Sequence, residues 1–507
     1  MNGGFRRREF IGGALSAGAF AGARAFAAPH GKFLGGKPEC VFGVVSDIHV
    51  NHVGADEKRS GWSNNLTFRH ALEWFRENSA DAVVLAGDMT NRGTMDELAA
   101  VAEAWYRVFP GDRAPDGRKV EKVFVMGNHD FHGYLYGNFA EKVYPDMAER
   151  RRHVLRADFP GFWKKFFNED YSRLFRKTVK GYLFIGEHWD DGIGMEGGRG
   201  EYAKTAGSGL EGFLKKNGEK IDRSKPFFYV QHPHLKGTCY GDWSCGTDSG
   251  VATRALSAYP NAVAISGHSH YSITDERSIW QGAFTSVGAG SLRYTCLPYE
   301  THPLYGYENS TTANRRSKAL DSQKTMPLYG HVADCRQGML WRVYDDRIVI
   351  ERREFLSDMS LGEDWVIPLR PLGEKPYSFA SRSRKSSPPE FPAAAGLDVR
   401  ETRLKTRETP GRPSAEKAAL EFSFPAAMAV KKSRVFEYEI TAVGKNGAKS
   451  AFNVIAEGFN HPPASTLANG CVVCSVPTDR LPSGLESVEV RPLNCWGGKG
   501  RPLVKRF

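Results

Sequence analysis

Val123-Phe124-Val125-Met126-Gly127-Asn128-His129-Asp130 is an apolar run that stops on a glycine, an amide, an imidazole and a carboxylate. Four apolar residues suit a buried strand and are too few for a helix. The same punctuation recurs along the chain. Val41–Ser46 leads into Asp47-Ile48-His49, and Ala82–Ala86 into Gly87-Asp88. Phe227–Val230 leads into Gln231-His232-Pro233-His234, and Ala262–Ser266 into Gly267-His268-Ser269-His270. Helical spacing lies between the early runs, with Ala71, Leu72, Trp74 and Phe75 inside Leu66–Glu77. Thr94 and Glu97 have the spacing of a capping box, and Leu98, Val101, Ala102 and Trp105 follow it on one helix face. Strands alternating with helices predict an α/β layered structure. Strands ending in polar residues place chemistry at their carboxyl ends, where open α/β sheets bind ligands.

Farther out, the pattern changes. Residues 131–176 are dense in aromatic and charged residues and read either as a lid or as a helical insertion with its own small core. Residues 337–356 alternate apolar and polar, which predicts a hairpin closing the sheet. Residues 378–396, with Ser386-Ser387-Pro388-Pro389, read as a linker. Beyond it, Val435–Val443, Ala451–Ala456, Val472–Val476 and Val488–Pro492 are strand-like, and Gly444-Lys445-Asn446-Gly447 separates the first two. The expected organisation is an α/β domain over 38–375 followed by a small all-β sandwich over 397–507.

The 507 residues are 41% hydrophobic and 25% charged, which excludes disordered, collagen-like and coiled-coil classes. No apolar run reaches the length of a spanning helix. Lysine and arginine exceed aspartate and glutamate by 11, which favours anionic partners such as phosphorylated compounds, nucleic acid or acidic envelope polymers. At the start, Arg6-Arg7-Arg8-Glu9-Phe10-Ile11, an apolar stretch to Ala23 and Ala25-Phe26-Ala27 have the layout of a secretory signal over 1–27. The paired arginines resemble a twin-arginine address, which implies export to the periplasm or beyond. Its removal would take away four arginines and one glutamate and leave a net charge of +8. The eight cysteines read as core or disulfide residues in an oxidising compartment, with Cys239 and Cys245 close enough to close a small loop.

Each polar cluster alone is weak, and a Gly-His-x-His is often two ordinary turn histidines. Five such clusters, each after a strand and each offering only oxygen or imidazole donors, point to a two-metal hydrolase. The series Asp47-x-His49, Gly87-Asp88, Gly127-Asn128-His129-Asp130, His232 and Gly267-His268-x-His270 resembles the calcineurin-like metallophosphoesterase family over residues 40–300. The resemblance implies an αββα sandwich of two mixed sheets and two divalent or trivalent ions, Mn, Fe or Zn. It implies that Asp47, His49 and His270 hold one ion, that Asn128, His232 and His268 hold the other, and that Asp88 bridges them. A hydroxide between the ions would attack a phosphomonoester or phosphodiester. His129 would act on the leaving group, Asp130 would orient His129, and Arg92 would bind a phosphate oxygen.

His232 is preferred to His234 because it directly follows its strand, which leaves His234 to face the substrate. His52 and His132 read as surface residues or as supports behind the ligands. Residues 237–250 either shape the pocket, pinned by Cys239–Cys245, or form an incidental surface loop. Two other functions fit the same residues: a metal-retaining, non-catalytic envelope protein, and a nuclease. No recognisable nucleic-acid motif supports the nuclease, so no stable nucleic-acid partner is expected. The trailing β domain is expected to contact an envelope component.

Overall fold

The computed structural model describes residues 36–51, 64–191, 205–240, 248–296, 332–370, 375–405, 416–430, 434–463 and 470–507. The expected signal over 1–27, His52 and Cys245 lie outside the described residues. Among the described residues, no helix is long and apolar enough to cross a membrane.

The first three strands are β1 (Cys40–Val45), β2 (Ala82–Ala86) and β3 (Glu121–Val125). They pair in parallel, and the helices α1 (Asn64–Glu77) and α2 (Met95–Val108) are the crossovers between them. Glu97 accepts the backbone N–H groups of Arg92 and Thr94, so the capping signal does start α2. After β3 come four short helices: α3 (Asn128–His132), α4 (Phe139–Val143), α5 (Met147–His153) and α6 (Phe159–Phe167). Phe159, Trp163 and Phe167 of α6 join α1 and α2 over the outer face of this sheet. Tyr134, Ala140 and Val154 form a small satellite core. The aromatic stretch therefore packs as an insertion, and its larger side chains are absorbed into the main core.

The next six strands are β4 (Leu174–Val179), β5 (Tyr182–Glu187), β6 (Phe227–Val230), β7 (Ala262–Ser266), β8 (Ile279–Gln281) and β9 (Thr285–Gly288). They form a second mixed sheet in the order β4-β5-β6-β7-β9-β8. The helices α7 (Ser208–Asn217) and α8 (Val251–Leu256) cover its outer face. A two-residue pair, β10 (Thr295–Cys296) with β11 (Val332–Ala333), follows. The strands β12 (Gln337–Val343) and β13 (Arg347–Glu354) are the expected hairpin; they close the first sheet, with β12 antiparallel to β1. The short strands β14 (Met359–Ser360) and β15 (Trp365–Pro368) both pair with β13.

The two sheets stack face to face, with helices outside both. Alternation along β1 explains the layering: Val41 and Val45 point to the helices, while Phe42 and Val44 point to the second sheet. The Phe42 ring sits 5.2 Å from Phe184 and 4.9 Å from Phe228 in the opposite sheet, and 5.3 Å from Trp341 on β12.

Residues 378–396 are not plain linker. Ser378 caps a short helix, α9 (Phe379–Lys385), by accepting the Ser381 N–H. The remaining strands are β16 (Asp398–Lys405), β17 (Glu416–Pro425), β18 (Val435–Gly444), β19 (Lys449–Ile455), β20 (Cys471–Pro477), β21 (Leu485–Asn494) and β22 (Leu503–Arg506). They form two antiparallel sheets, β16-β17-β20 and β19-β18-β21-β22, around Phe422, Tyr438, Ile440, Val476 and Val490. Cys471 is exposed and Cys474 buried, as strand alternation requires. Cys40, Cys239, Cys335, Cys471, Cys474 and Cys495 are all unpaired thiols.

The sandwich packs onto the α/β domain through one continuous core that includes Tyr240 and Tyr271. Arg277 binds Asp275 through two nitrogens and lies 4.6 Å over the Phe436 ring of the sandwich. Gln337 donates to the carbonyl of Asn460.

Phe42→Ala removes the ring that ties the two sheets together. It should cost about 3–5 kcal/mol in urea unfolding, as for other large-to-small core changes. A loss under about 1 kcal/mol would show that the sheets are held elsewhere.

Candidate metal centre

The carboxyl ends of β1, β2, β3, β6 and β7 converge at one edge of the stacked sheets. Each is followed at once by the polar residues that its strand introduces. The turns are tight, and five of these residues are forced into left-handed backbone: Asp47 (φ 52°), His49 (48°), Asp88 (53°), His268 (72°) and His270 (55°). For side chains other than glycine this conformation is strained, and such strain gathers at functional sites. Two glycines let the turns approach. A Cβ at Gly87 would lie 2.1 Å from the His232 ring, and one at Gly127 would lie 2.2 Å from Asp88 Oδ1.

The donors fall into two adjoining groups. In the first, His49 Nε2 is 3.0 Å from His270 Nε2, and Asp47 Oδ1 is 3.2 Å from the same His270 nitrogen. In the second, His232 Nε2 is 3.1 Å from Asn128 Oδ1 and 3.2 Å from His268 Nδ1. Asp88 Oδ2 belongs to both, 3.5 Å from His49 Nε2 and 3.3 Å from His232 Nε2. The ligand atoms of Asp47, His49 and His270, and those of Asp88, His232 and His268, each lie within 4.8 Å of one another. Imidazole nitrogens facing each other this closely need a proton or a cation between them. Asp47 Oδ1 is buried and accepts no hydrogen bond, although burying a bare carboxylate oxygen is costly. Two carboxylates, one amide oxygen and four imidazoles are the donor set that borderline transition metals accept, so these residues fit a pair of such ions.

The surroundings fix which atoms face inward. His232 Nδ1 lies 2.7 Å from the Ala86 carbonyl, and His270 Nδ1 3.2 Å from the Tyr294 carbonyl and from Ser291 Oγ. Both rings are thereby oriented with Nε2 toward the centre. His268 N–H donates to Asp47 Oδ2 and His129 N–H to Asp88 Oδ1, which aims each carboxylate.

Titration follows from this packing. Burial pushes Asp47 up, but His270 and His49 more than offset it and hold the carboxyl well below its usual range. Asp88 is likewise raised by burial and lowered further by His232 and His129. Burial pushes His49 and His268 down to about 3, so both rings are neutral donors. Burial also disfavours charge on His232, but the Asp88 carboxylate beside it raises it to about 9.

His129 lies on the open side of the centre, its ring 4.4 Å from that of His49. Burial lowers its pKa. Its Nδ1 meets the carbonyl of Asn91 at 2.9 Å. The expectation that Asp130 orients this ring does not match the geometry. Asp130 instead accepts the N–H groups of Gly127, Met89 and Thr90 and the Thr90 hydroxyl, tying the turn after β2 to the turn after β3. Burial and the nearby charge of Asp88 push it up to about 6. Arg92 turns toward the residues after α3: it donates to the Tyr136 carbonyl at 2.7 Å and lies over the Phe139 ring. His234 does not face the opening. It is buried between the hydroxyls of Ser266 and Ser269. His132 is also buried, between Asp191 and Arg156. Cys239 donates its thiol to the Ser278 carbonyl.

Sequence reading missed the residues after β9. Ser291 Oγ donates to the Asp47 carbonyl and meets His270, and the Tyr294 ring lies 4.4 Å from the His270 ring. The available signal was a sixth short strand with a polar end, Thr285–Gly288 before Ala289-Gly290-Ser291.

A family model described as calcineurin-like phosphoesterase matches residues 41–272. A probable cyclic nucleotide phosphodiesterase from Ruthia magnifica subsp. Calyptogena magnifica is 19% identical over 170 residues, which is 31% of this chain and 67% of that protein. A dimetal phosphatase from Danio rerio is similar in structure, with 14% identity and a TM-score of 0.35 over 66% of this chain and all of that one. A purple acid phosphatase from yellow lupin (Lupinus luteus) seeds gives 12% identity and a TM-score of 0.38, over 65% of this chain and 55% of that one. Residues 41–272, which match that family model, supply every donor of both groups.

Proposed function

We propose that this protein hydrolyses phosphate mono- or diesters at a two-metal centre. The observation that carries the reading is Asp88 Oδ2, a single buried oxygen shared by two groups of donors. Asp47, His49 and His270 would hold one ion and Asn128, His232 and His268 the other. When bound, such a pair supplies Lewis acidity for in-line displacement at phosphorus and makes water a nucleophile near neutral pH. The protein keeps the donors fixed through the carbonyls of Ala86 and Tyr294 and the N–H groups of His129 and His268. His129, with Nδ1 committed to Asn91, presents Nε2 on the open side, where a leaving-group oxygen would emerge. Export belongs to the same proposal, supported by the basic start and small-residue end of residues 1–27.

The test is a panel of chromogenic phosphate mono- and diesters with Mn²⁺, Fe²⁺ or Zn²⁺. Turnover of at least one ester is expected, and metal-replete protein that cleaves none overturns the reading. His129→Ala should keep its metal and lose about 10²–10⁴ in kcat, the usual contribution of a positioned acid–base side chain. Full activity of that variant on a poor leaving group removes His129 from the chemistry.

Metal uptake carries its own pH signature. With His232 raised to about 9, the metal-free protein holds a proton on this ring at neutral pH, and binding must release it. Affinity should therefore rise by up to about tenfold per pH unit as the pH climbs toward 9, and flatten above it. Calorimetry in buffers of different ionisation enthalpy reads this release directly. A pH-independent affinity from pH 7 to 9 would leave no place for a charged His232.

A further inference from the structure

Asn91 joins two side chains at the mouth of the centre. Its backbone carbonyl meets His129 Nδ1 at 2.9 Å, and its side-chain oxygen accepts from Arg293 Nη1 at 2.7 Å. Asn91 thus ties Arg293 and His129 to one residue. The Arg293 backbone is fixed to the other side of the site: its N–H donates to Ser291 Oγ, which also touches His270 and the Asp47 carbonyl. The guanidinium is half-buried, with one face toward the Tyr294 ring.

Arg293 differs from several arginines of the fold in what holds it. Arg277 pairs with Asp275, Arg336 with Asp334, and Arg352 and Arg382 with Glu276. Arg293 has no carboxylate partner among the described residues; a neutral amide holds it. A fixed cation at the edge of a centre built to gather further cations is unfavourable unless an anion lies between them. A planar fork with most of its N–H groups uncommitted matches the oxygens of a phosphoryl group. Arg92, expected in that role, is turned to the Tyr136 carbonyl instead.

We infer that Arg293 binds a non-bridging oxygen of the substrate's phosphate, held in place for it by Asn91 and Ser291. The inference rests on the hydrolase reading for its substrate and on the geometry above for its site. The probe is inorganic phosphate, titrated by calorimetry into full-length protein loaded with Mn²⁺, with metal content measured on each sample. Arg293→Met and Arg293→Gln should both keep their metal and weaken phosphate binding by about tenfold or more, as expected for losing a charge-assisted contact. In the ester assay, KM should rise more than kcat falls. A phosphate Kd within about twofold of native in either metal-replete variant overturns the subsite, as does native protein that binds no phosphate. The two readings fail separately. Phosphate bound through Arg293 without ester cleavage removes the hydrolase and keeps the subsite. Ester cleavage with native-like phosphate binding in the variants does the reverse.

Discussion

One carboxylate oxygen, Asp88 Oδ2, lies between an imidazole carried by the first sheet and an imidazole carried by the second. That contact binds the architecture to the chemistry. A buried carboxylate survives only where opposite charge or donors surround it, and here they come from strands more than a hundred residues apart. The sheets must stack in one register for His49 and His232 to reach the same atom. Phe42, lodged against Phe184, Phe228 and Trp341, is part of what fixes that register. The core is therefore a mounting for the donors as well as a source of stability.

The mounting is costly. Each left-handed residue at the strand ends is disfavoured by about 1–3 kcal/mol, and such conformations persist only where the surroundings over-determine them. Five such residues within one site imply dense support, and it is visible. Asp130 knits together two turns, Ser291 touches both Asp47 and His270, and backbone carbonyls hold the outer nitrogens of His232 and His270. The support is mostly backbone to side chain, so it depends on the path of the chain more than on any one neighbour.

This explains what could and could not be read from the sequence. Strands announced themselves as short apolar runs, and the donors as the polar residues that stop them. Both are local signals, so the layered α/β plan and the metal-donor candidates were legible. The trailing strands were legible for the same reason, through alternation and a Gly-rich turn. Positioning was not. Asp130 next to His129 in sequence suggested contact, yet the helical start of α3 turns the carboxylate back toward Gly127 and Thr90. The true partner of His129 is the carbonyl of Asn91, and a backbone group has no sequence signature. Arg92 occupied a plausible spacing but faces Tyr136. Ser291 and Arg293 lie far from every motif, on a strand end that ends in glycine and serine and so looked like an ordinary turn.

The junction with the C-terminal sandwich carries a consequence of its own. Tyr271 follows His270 directly, and it is buried in the core shared with the sandwich, 4.6 Å from the Tyr240 ring. A candidate metal donor and a residue of the inter-domain core are thus adjacent links of one chain. The C-terminal sandwich therefore shares its packing with the residue next to the site. A shift of that shared core would reach the neighbouring imidazole across a single peptide bond.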